Sequence, residues 1–276
     1  MTTPALSLTS SFSDLASNYD LVLSDVWGVV HNGLAAWPDA CNALARFREG
    51  GGAVVLISNA PRPGERLKLQ LDALKVPRAA YDAIVSSGDV TVNEMAARSG
   101  QPVFHLGPAR DHGLFAGLDA PRVEIEQAAY VICSGLFDDD TETPEDYRPL
   151  FERMLARRLL MICANPDVVV ERGDRLVYCA GALADLYAEL GGEVLYAGKP
   201  HRPIYDQALA RVLAIGDSVR TDLTGAAALG IDCLFVTSGI HAEELGGRDD
   251  PDLLVLHRLF EAANVHPRAV TRRLMW

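Results

Sequence analysis

Residues 21–28 read Leu-Val-Leu-Ser-Asp-Val-Trp-Gly, an apolar run that stops on a carboxylate, Asp25. So short and apolar a run predicts a buried strand over Leu21 to Ser24. Asp25 then stands at its carboxyl end, where open α/β sheets gather their chemistry. Taken alone, an Asp in that place is equally well explained as a turn or cap residue.

Working outward, the pattern recurs. Ala53 to Ile57, Pro102 to Leu106, Tyr130 to Cys133, Leu159 to Cys163, Val194 to Tyr196, Val212 to Ile215 and Cys233 to Val236 read as further short buried strands. Amphipathic stretches lie between them. Ala40, Leu44 and Phe47 share one helical face, and Leu67, Leu71 and Leu74 share another. Thr143-Pro144-Glu145 reads as a helix start, with Thr143 as cap and Pro144 at the first helical position. Strands alternating with helices predict an α/β fold, a parallel sheet with helices on both faces. There is no internal repeat and no low-complexity tract.

The composition sets limits. The chain has 276 residues, 49% hydrophobic and 22% charged, enough for one large domain or two modest ones. A net charge of −12 disfavours nucleic acid and anionic membrane as partners, and means that an anionic substrate needs a local cation. The five cysteines are scattered, odd in number and without Cys-x-x-Cys spacing, which argues against a disulfide framework or zinc site and for a reducing compartment. Met1 to Ser13 lacks the pattern of a signal peptide, and no apolar run is long enough to span a bilayer. The expectation is a cytoplasmic protein.

Three more stretches carry chemistry. Gly216-Asp217-Ser218-Val219-Arg220-Thr221-Asp222 follows a predicted strand, and its two carboxylates suit a divalent cation such as Mg²⁺, which takes hard oxygen ligands. Helix capping by Asp217 or Ser218 explains the same residues. Leu56-Ile57-Ser58-Asn59 ends a strand on a hydroxyl able to donate to a phosphoryl oxygen, although Ser-Asn is also ordinary turn chemistry. Gly198-Lys199-Pro200 holds one of only three lysines. A fixed ammonium there would offset the charge of a carboxylate nucleophile and a phosphate. An exposed loop lysine is the plainer reading of Lys199 by itself.

Taken in chain order, at Asp25, Ser58, Lys199 and Asp217 with Asp222, the four pieces resemble the haloacid dehalogenase (HAD) superfamily of hydrolases over most of the chain. The interval between the second and third pieces resembles the type IIA cap of phosphatases acting on pyridoxal phosphate, phosphoglycolate and nucleotides. Asn165-Pro166-Asp167 and Gly181-Ala182-Leu183 resemble recurring sequences of that cap. The resemblance implies a Rossmann-like parallel sheet core, residues 1–86 and 191–276, with an inserted α/β cap domain at 87–190. The alternative for the interval is one continuous sheet. It further implies Asp25, Ser58 and Lys199 as catalytic residues, with an aspartyl-phosphate forming on Asp25. Mg²⁺ would be held by Asp25, the main-chain carbonyl of Trp27 and Asp217, with Asp222 supporting. Trp27, Gly28, Asn59 and Asn165 would meet the substrate, a small phosphorylated metabolite. A homodimer is among the arrangements the resemblance allows.

One position departs from the pattern. Phosphatases of this superfamily carry an Asp where this chain has Trp27, and that Asp protonates the leaving oxygen and later activates water. An indole can only donate a hydrogen bond. Loss of a general acid/base removes on the order of 10²–10⁴ in rate. Three readings follow: a phosphohydrolase restricted to good leaving groups, a catalytically weak protein that binds phosphorylated ligands, and, more distantly, a metal-independent dehalogenase. His31, six residues beyond Asp25, is a weak candidate for a substitute base.

Overall fold

The computed structural model describes residues 11–172, 175–209, 213–247 and 250–273. Two compact units divide the chain, Met1–Ile204 and Tyr205–Trp276.

The first unit opens with strands β1 (Leu21–Ser24), β2 (Ala53–Ser58) and β3 (Ala83–Ser86), parallel and in that order. Leu23 lies beside Val55, and Val55 beside Ala83. The connecting helices are amphipathic in the predicted way. Pro38–Glu49 begins with Pro at its first position and buries Cys41, Leu44 and Phe47, and Gly64–Ala73 buries Leu67 and Leu71. These side chains join Val54, Leu56, Val26 and Val30 in one core cluster. Burial of this apolar face, rather than helix propensity, holds the short helices in place. Because β1 and β2 are parallel, Asp25 and Ser58 both emerge at the carboxyl edge.

The chain leaves β3 through helix Ser87–Ala96. Ser86 caps this helix at the Asp89 amide, while the Asp89 carboxylate accepts from the Ser86 amide. A second sheet follows, with β4 (Val103–Leu106), β5 (Tyr130–Cys133) and β6 (Leu160–Cys163). An antiparallel hairpin, β7 (Val169–Arg172) and β8 (Arg175–Tyr178), interrupts it before β9 (Val194–Tyr196). The order is β4-β5-β6-β9, all parallel. Alternate residues feed two cores. Val131, Cys133, Met161 and Cys163 pack with Phe151, Leu183 and Tyr187, whereas Tyr130, Ile132 and Ile162 pack with Met95 and Leu114. Both faces are covered, which is why these strands read as continuous apolar runs. The two parallel sheets of this unit are separate, so the interval does not continue the first sheet. The second sheet closes at Tyr196, because β9 pairs with β6.

The second unit holds a third parallel sheet, β10 (Leu213–Gly216), β11 (Asp232–Val236) and β12 (Ala269–Thr271). A wide helical turn, Val219–Leu223, runs into helix Thr224–Leu229, and helix Leu253–Ala263 packs Leu256 and Phe260 with Phe235 and Cys233. Val212 and residues 1–10 of the N-terminal segment lie outside the described residues.

Strands β3, β7, β8 and β12 were not expected from the sequence. β12 is largely exposed and carries no buried run, whereas β3 is buried and as long as β1. The hairpin mixes charged and apolar residues, with Leu176 and Tyr178 exposed, so it lacks the apolar run of a buried strand. All five cysteines are free and buried. Burial pushes the Cys133 thiol up to about 12, consistent with a small hydrophobe rather than a nucleophile. Among the described residues no helix is long and apolar enough to cross a membrane.

Candidate active site

Asp25 follows β1 directly, and its backbone carbonyl accepts the Ser24 hydroxyl at 2.8 Å. Its Oδ1 meets Lys199 Nζ at 2.5 Å. The contact joins residues 174 positions apart, and Asn59 secures it from behind. Asn59 Oδ1 accepts the Lys199 amide at 2.7 Å, while its Nδ2 donates to the Lys199 carbonyl at 3.1 Å and to Asp167 Oδ1 at 2.8 Å. Both ends of the Asn59 side chain are therefore occupied in holding Lys199 and Asp167. Gly198 permits this approach, since a Cβ there would lie 2.4 Å from Asn59 Oδ1. Ser58, buried at the end of β2, accepts the Ala60 amide at 3.2 Å. Its hydroxyl hydrogen remains for an acceptor in the cavity.

Trp27 is fixed rather than loose. Its six-membered ring lies on Gly33, where a Cβ would stand 2.5 Å from Trp27 Cη2. Gly33 has φ +88°, a backbone state that also favours glycine. The indole meets His31 edge-on at 5.3 Å between ring centres. His31 is buried, and its Nδ1 accepts the Gly33 amide at 3.0 Å. Burial lowers its pKa, and the Asp25 charge opposes that only in part. A neutral ring whose Nδ1 lone pair is taken presents an N–H, not a base, at Nε2. Gly28 closes the same turn, with φ +83° and its amide donating to the His31 carbonyl at 2.8 Å.

These residues surround a cavity of about 550 Å³. Asp25, Trp27, Ser58, Asn59, Asn165 and Lys199 all line it. Gly28 does not. The cap-like sequences contribute through backbone packing. Asn165 Oδ1 accepts the Asp167 amide, and a Cβ at Gly181 would fall 2.2 Å from the Pro166 carbonyl oxygen. Sequence reasoning missed Arg62, Arg110, Asp111 and Asp139, which line the same cavity. Arg62 and Asp139 lie in loops, and Arg110 and Asp111 in a short 3-10 helix, Ala109–Phe115, so no amphipathic period marks them.

In the second unit Asp222 Oδ2 accepts the amides of Asp217 and Ser218, each at 3.1 Å, and Ser218 Oγ accepts the Thr221 amide. Capping is thus done by Asp222 and Ser218. Asp217 instead reaches the loop after β11, where its Oδ2 accepts the Ile240 amide at 2.8 Å. Two glycines cradle the pair. A Cβ at Gly239 would stand 1.8 Å from Asp217 Oδ2, and one at Gly216 would stand 2.2 Å from the Asp222 side chain. Asp217 is held so that one oxygen keeps a backbone partner while the carboxylate offers a hard donor, as Mg²⁺ requires. Asp25, with Oδ1 on Lys199, has the same chemistry in its own unit.

Residues 22–120 match the profile of the haloacid dehalogenase-like hydrolases, and residues 196–262 match a HAD-hydrolase-like profile. The chain is 48% identical to a solved hydrolase of the haloacid dehalogenase-like family from Brucella suis, over 85% of this chain and 95% of that one, with a TM-score of 0.70. The chain belongs to the haloacid dehalogenase-like hydrolase family. Its fold is that family's Rossmann-like core with an inserted α/β cap. The hydrolase also shares its fold with a p-nitrophenyl phosphatase from Archaeoglobus fulgidus, at 20% identity over 92% and 95% of the two chains, TM-score 0.56. A glycerol phosphate phosphatase from Mycobacterium tuberculosis, in complex with magnesium, is similar at 22% identity over 82% and 70%, TM-score 0.54. A comparison with curated proteins gave no match.

Proposed function

We propose that this HAD-like hydrolase is a Mg²⁺-dependent phosphohydrolase of small phosphorylated metabolites, restricted to leaving groups acidic enough to depart without a protein acid. The Lys199–Asp25 contact at 2.5 Å on the wall of the cavity carries the reading. An ammonium so placed lowers the cost of bringing a phosphate dianion to a carboxylate. The phosphatases among its structural relatives support it as well.

The Asp25 carboxylate attacks phosphorus and forms an acyl phosphate as the P–O bond to the leaving group breaks. The leaving oxygen takes the electron pair and later a proton from water. Water then attacks phosphorus, the Asp25–phosphate bond breaks, and inorganic phosphate is released. Lys199 neutralises charge through both steps, and Ser58 donates to a phosphoryl oxygen. When bound, Mg²⁺ would add charge neutralisation at the phosphoryl oxygens, held by hard donors of the Asp25 and Asp217 kind. Residues 87–190, with β9, serve as the cap that selects the leaving group.

Trp27, packed on Gly33, and His31, with Nδ1 occupied, leave no base in the turn after Asp25. That observation favours a second reading, a protein that binds phosphorylated ligands and turns them over weakly. A panel of acyl phosphates, aryl phosphates and alkyl phosphates, assayed with and without Mg²⁺, separates the two. Turnover of the acidic leaving groups that disappears in Asp25→Asn supports the phosphohydrolase. Ligand-induced rise in Tm without phosphate release supports the binding protein.

A further inference from the structure

The cavity lining is of two kinds. Val169, Val170, Val177 and Tyr178 of the β7–β8 hairpin contribute a largely apolar part. Arg62, Arg110, Asp111 and Asp139 contribute a charged part. Their formal charges cancel, so these four do not call for a second anionic group on the ligand. Three of the four are already engaged: Arg110 pairs with Asp139, and Arg62 reaches Gln70. Asp111 differs. It is 5% exposed, lines the cavity, and makes no ion pair among the described residues.

Its setting is built. Burial pushes its pKa up, and Ser134, Arg110 and Arg62 oppose that by favouring the charged form. Ser134 Oγ is in turn 2.9 Å from His105 Nε2. Burial, helped by His112 and Arg122, lowers His105 to about 4, so its ring is neutral near pH 7. In the tautomer with the N–H on Nε2, His105 donates to Ser134 and leaves the Ser134 hydrogen for another acceptor. Gly107 makes room, because a Cβ there would stand 2.2 Å from Ser134 Oγ. A buried carboxylate without an ion pair is costly to keep, and one held at a cavity wall is a candidate for function.

We propose that Asp111 is a specificity residue that accepts a hydrogen bond from a hydroxyl or ammonium group on the substrate's leaving group. This rests on the phosphohydrolase reading. The natural substrate is then a phosphate ester or acyl phosphate whose leaving group bears such a donor, not a plain apolar one. Ser134 and His105 act as positioning residues for Asp111.

The test compares 4-nitrophenyl phosphate with derivatives matched in leaving-group acidity that carry a hydroxymethyl or an aminomethyl arm. The wild type is expected to favour an armed substrate by on the order of 10–100-fold in kcat/KM, the range for a hydrogen bond to a charged group. The two arms distinguish hydroxyl from ammonium. Asp111→Asn should erase that preference, mainly through KM, while 4-nitrophenyl phosphate stays within about twofold. If Asp111→Asn does not fold, Ser134→Ala carries the test and should reduce the same preference. Equal rates on plain and armed substrates in the wild type, or equal slowing of both in the variant, would overturn the proposal. Should nothing be turned over, calorimetry with glycerol phosphate on Asp25→Asn and on Asp25→Asn/Asp111→Asn still decides it. At least tenfold weaker binding in the double variant supports the role of Asp111, and equal binding overturns it.

Discussion

Replacing Trp27 by Asp tests the proposal that the site works without a protein acid, since it places a carboxylic acid two residues beyond Asp25. A general acid is worth on the order of 10²–10⁴ where the leaving group needs a proton. It is worth little where the leaving group is already stable as an anion. Trp27 is 47% exposed, so about half of the ring is buried, against Gly33 and His31. Losing roughly 100 Å² of apolar contact at about 25 cal/mol per Å² costs ~2.5 kcal/mol of stability. Trp27→Asp is therefore expected to melt lower and yet to hydrolyse better. The assay is kcat/KM across a series of phosphomonoesters running from nitrophenols to simple alcohols. In the wild type the rate should fall steeply as the leaving group becomes more basic. In Trp27→Asp the dependence should flatten, with a gain of on the order of 10²–10⁴ for alkyl esters and under about tenfold for 4-nitrophenyl phosphate. A folded Trp27→Asp that shifts every substrate by the same factor, or none, refutes the claim that the site lacks only its acid.

Other residues give sharper structural tests. Asn59→Ala removes three hydrogen bonds, two of them to the Lys199 backbone. It should lower stability by about 2–4 kcal/mol in urea titrations and reduce kcat more than KM; an unchanged kcat would detach Lys199 from the reaction. Gly239→Ala puts a Cβ 1.8 Å from Asp217 Oδ2 and should raise the Mg²⁺ concentration for half-activity by at least about tenfold. An unchanged metal requirement would remove Asp217 from the metal donors. His105 titrates near 6.5 when unfolded and at about 4 in the fold. The unfolded state thus binds the extra proton first, so this residue's contribution is intact above pH 6.5 and is lost as pH falls toward 4. The loss is at most about 3 kcal/mol, and His105→Gln should flatten the decline of stability over that window. An unaltered acid limb would show that His105 is not responsible.

Much of the candidate site was legible because its signals are local. A short apolar strand running up to Asp25, a buried one ending in Ser58 and a lysine after a strand each depend on a few adjacent residues, and the parallel pairing of β1 with β2 then brings the first two to one edge. The helix faces built on Leu44 with Phe47 and on Leu67 with Leu71 were equally plain from their spacing. The β7–β8 hairpin was not, because its residues mix charged and apolar types without a buried run. Asn59 was expected to meet the substrate, and only the fold shows both ends of its side chain fastened to partners 108 and 140 positions away.

By itself, then, the sequence determined the α/β class and the family resemblance, and it offered Asp25, Ser58, Lys199, Asp217 and Asp222 as candidate site residues. The class follows from periodicity and the candidates from the resemblance that the order of short motifs carries, neither of which needs knowledge of distant contacts. Tertiary structure alone decided that Lys199 reaches Asp25, that Trp27 is locked on Gly33, that His31 is unavailable as a base and that Asp111 faces the cavity. Each of these depends on which atoms come within a few ångströms across the fold, and that is set by packing and not by spacing along the chain.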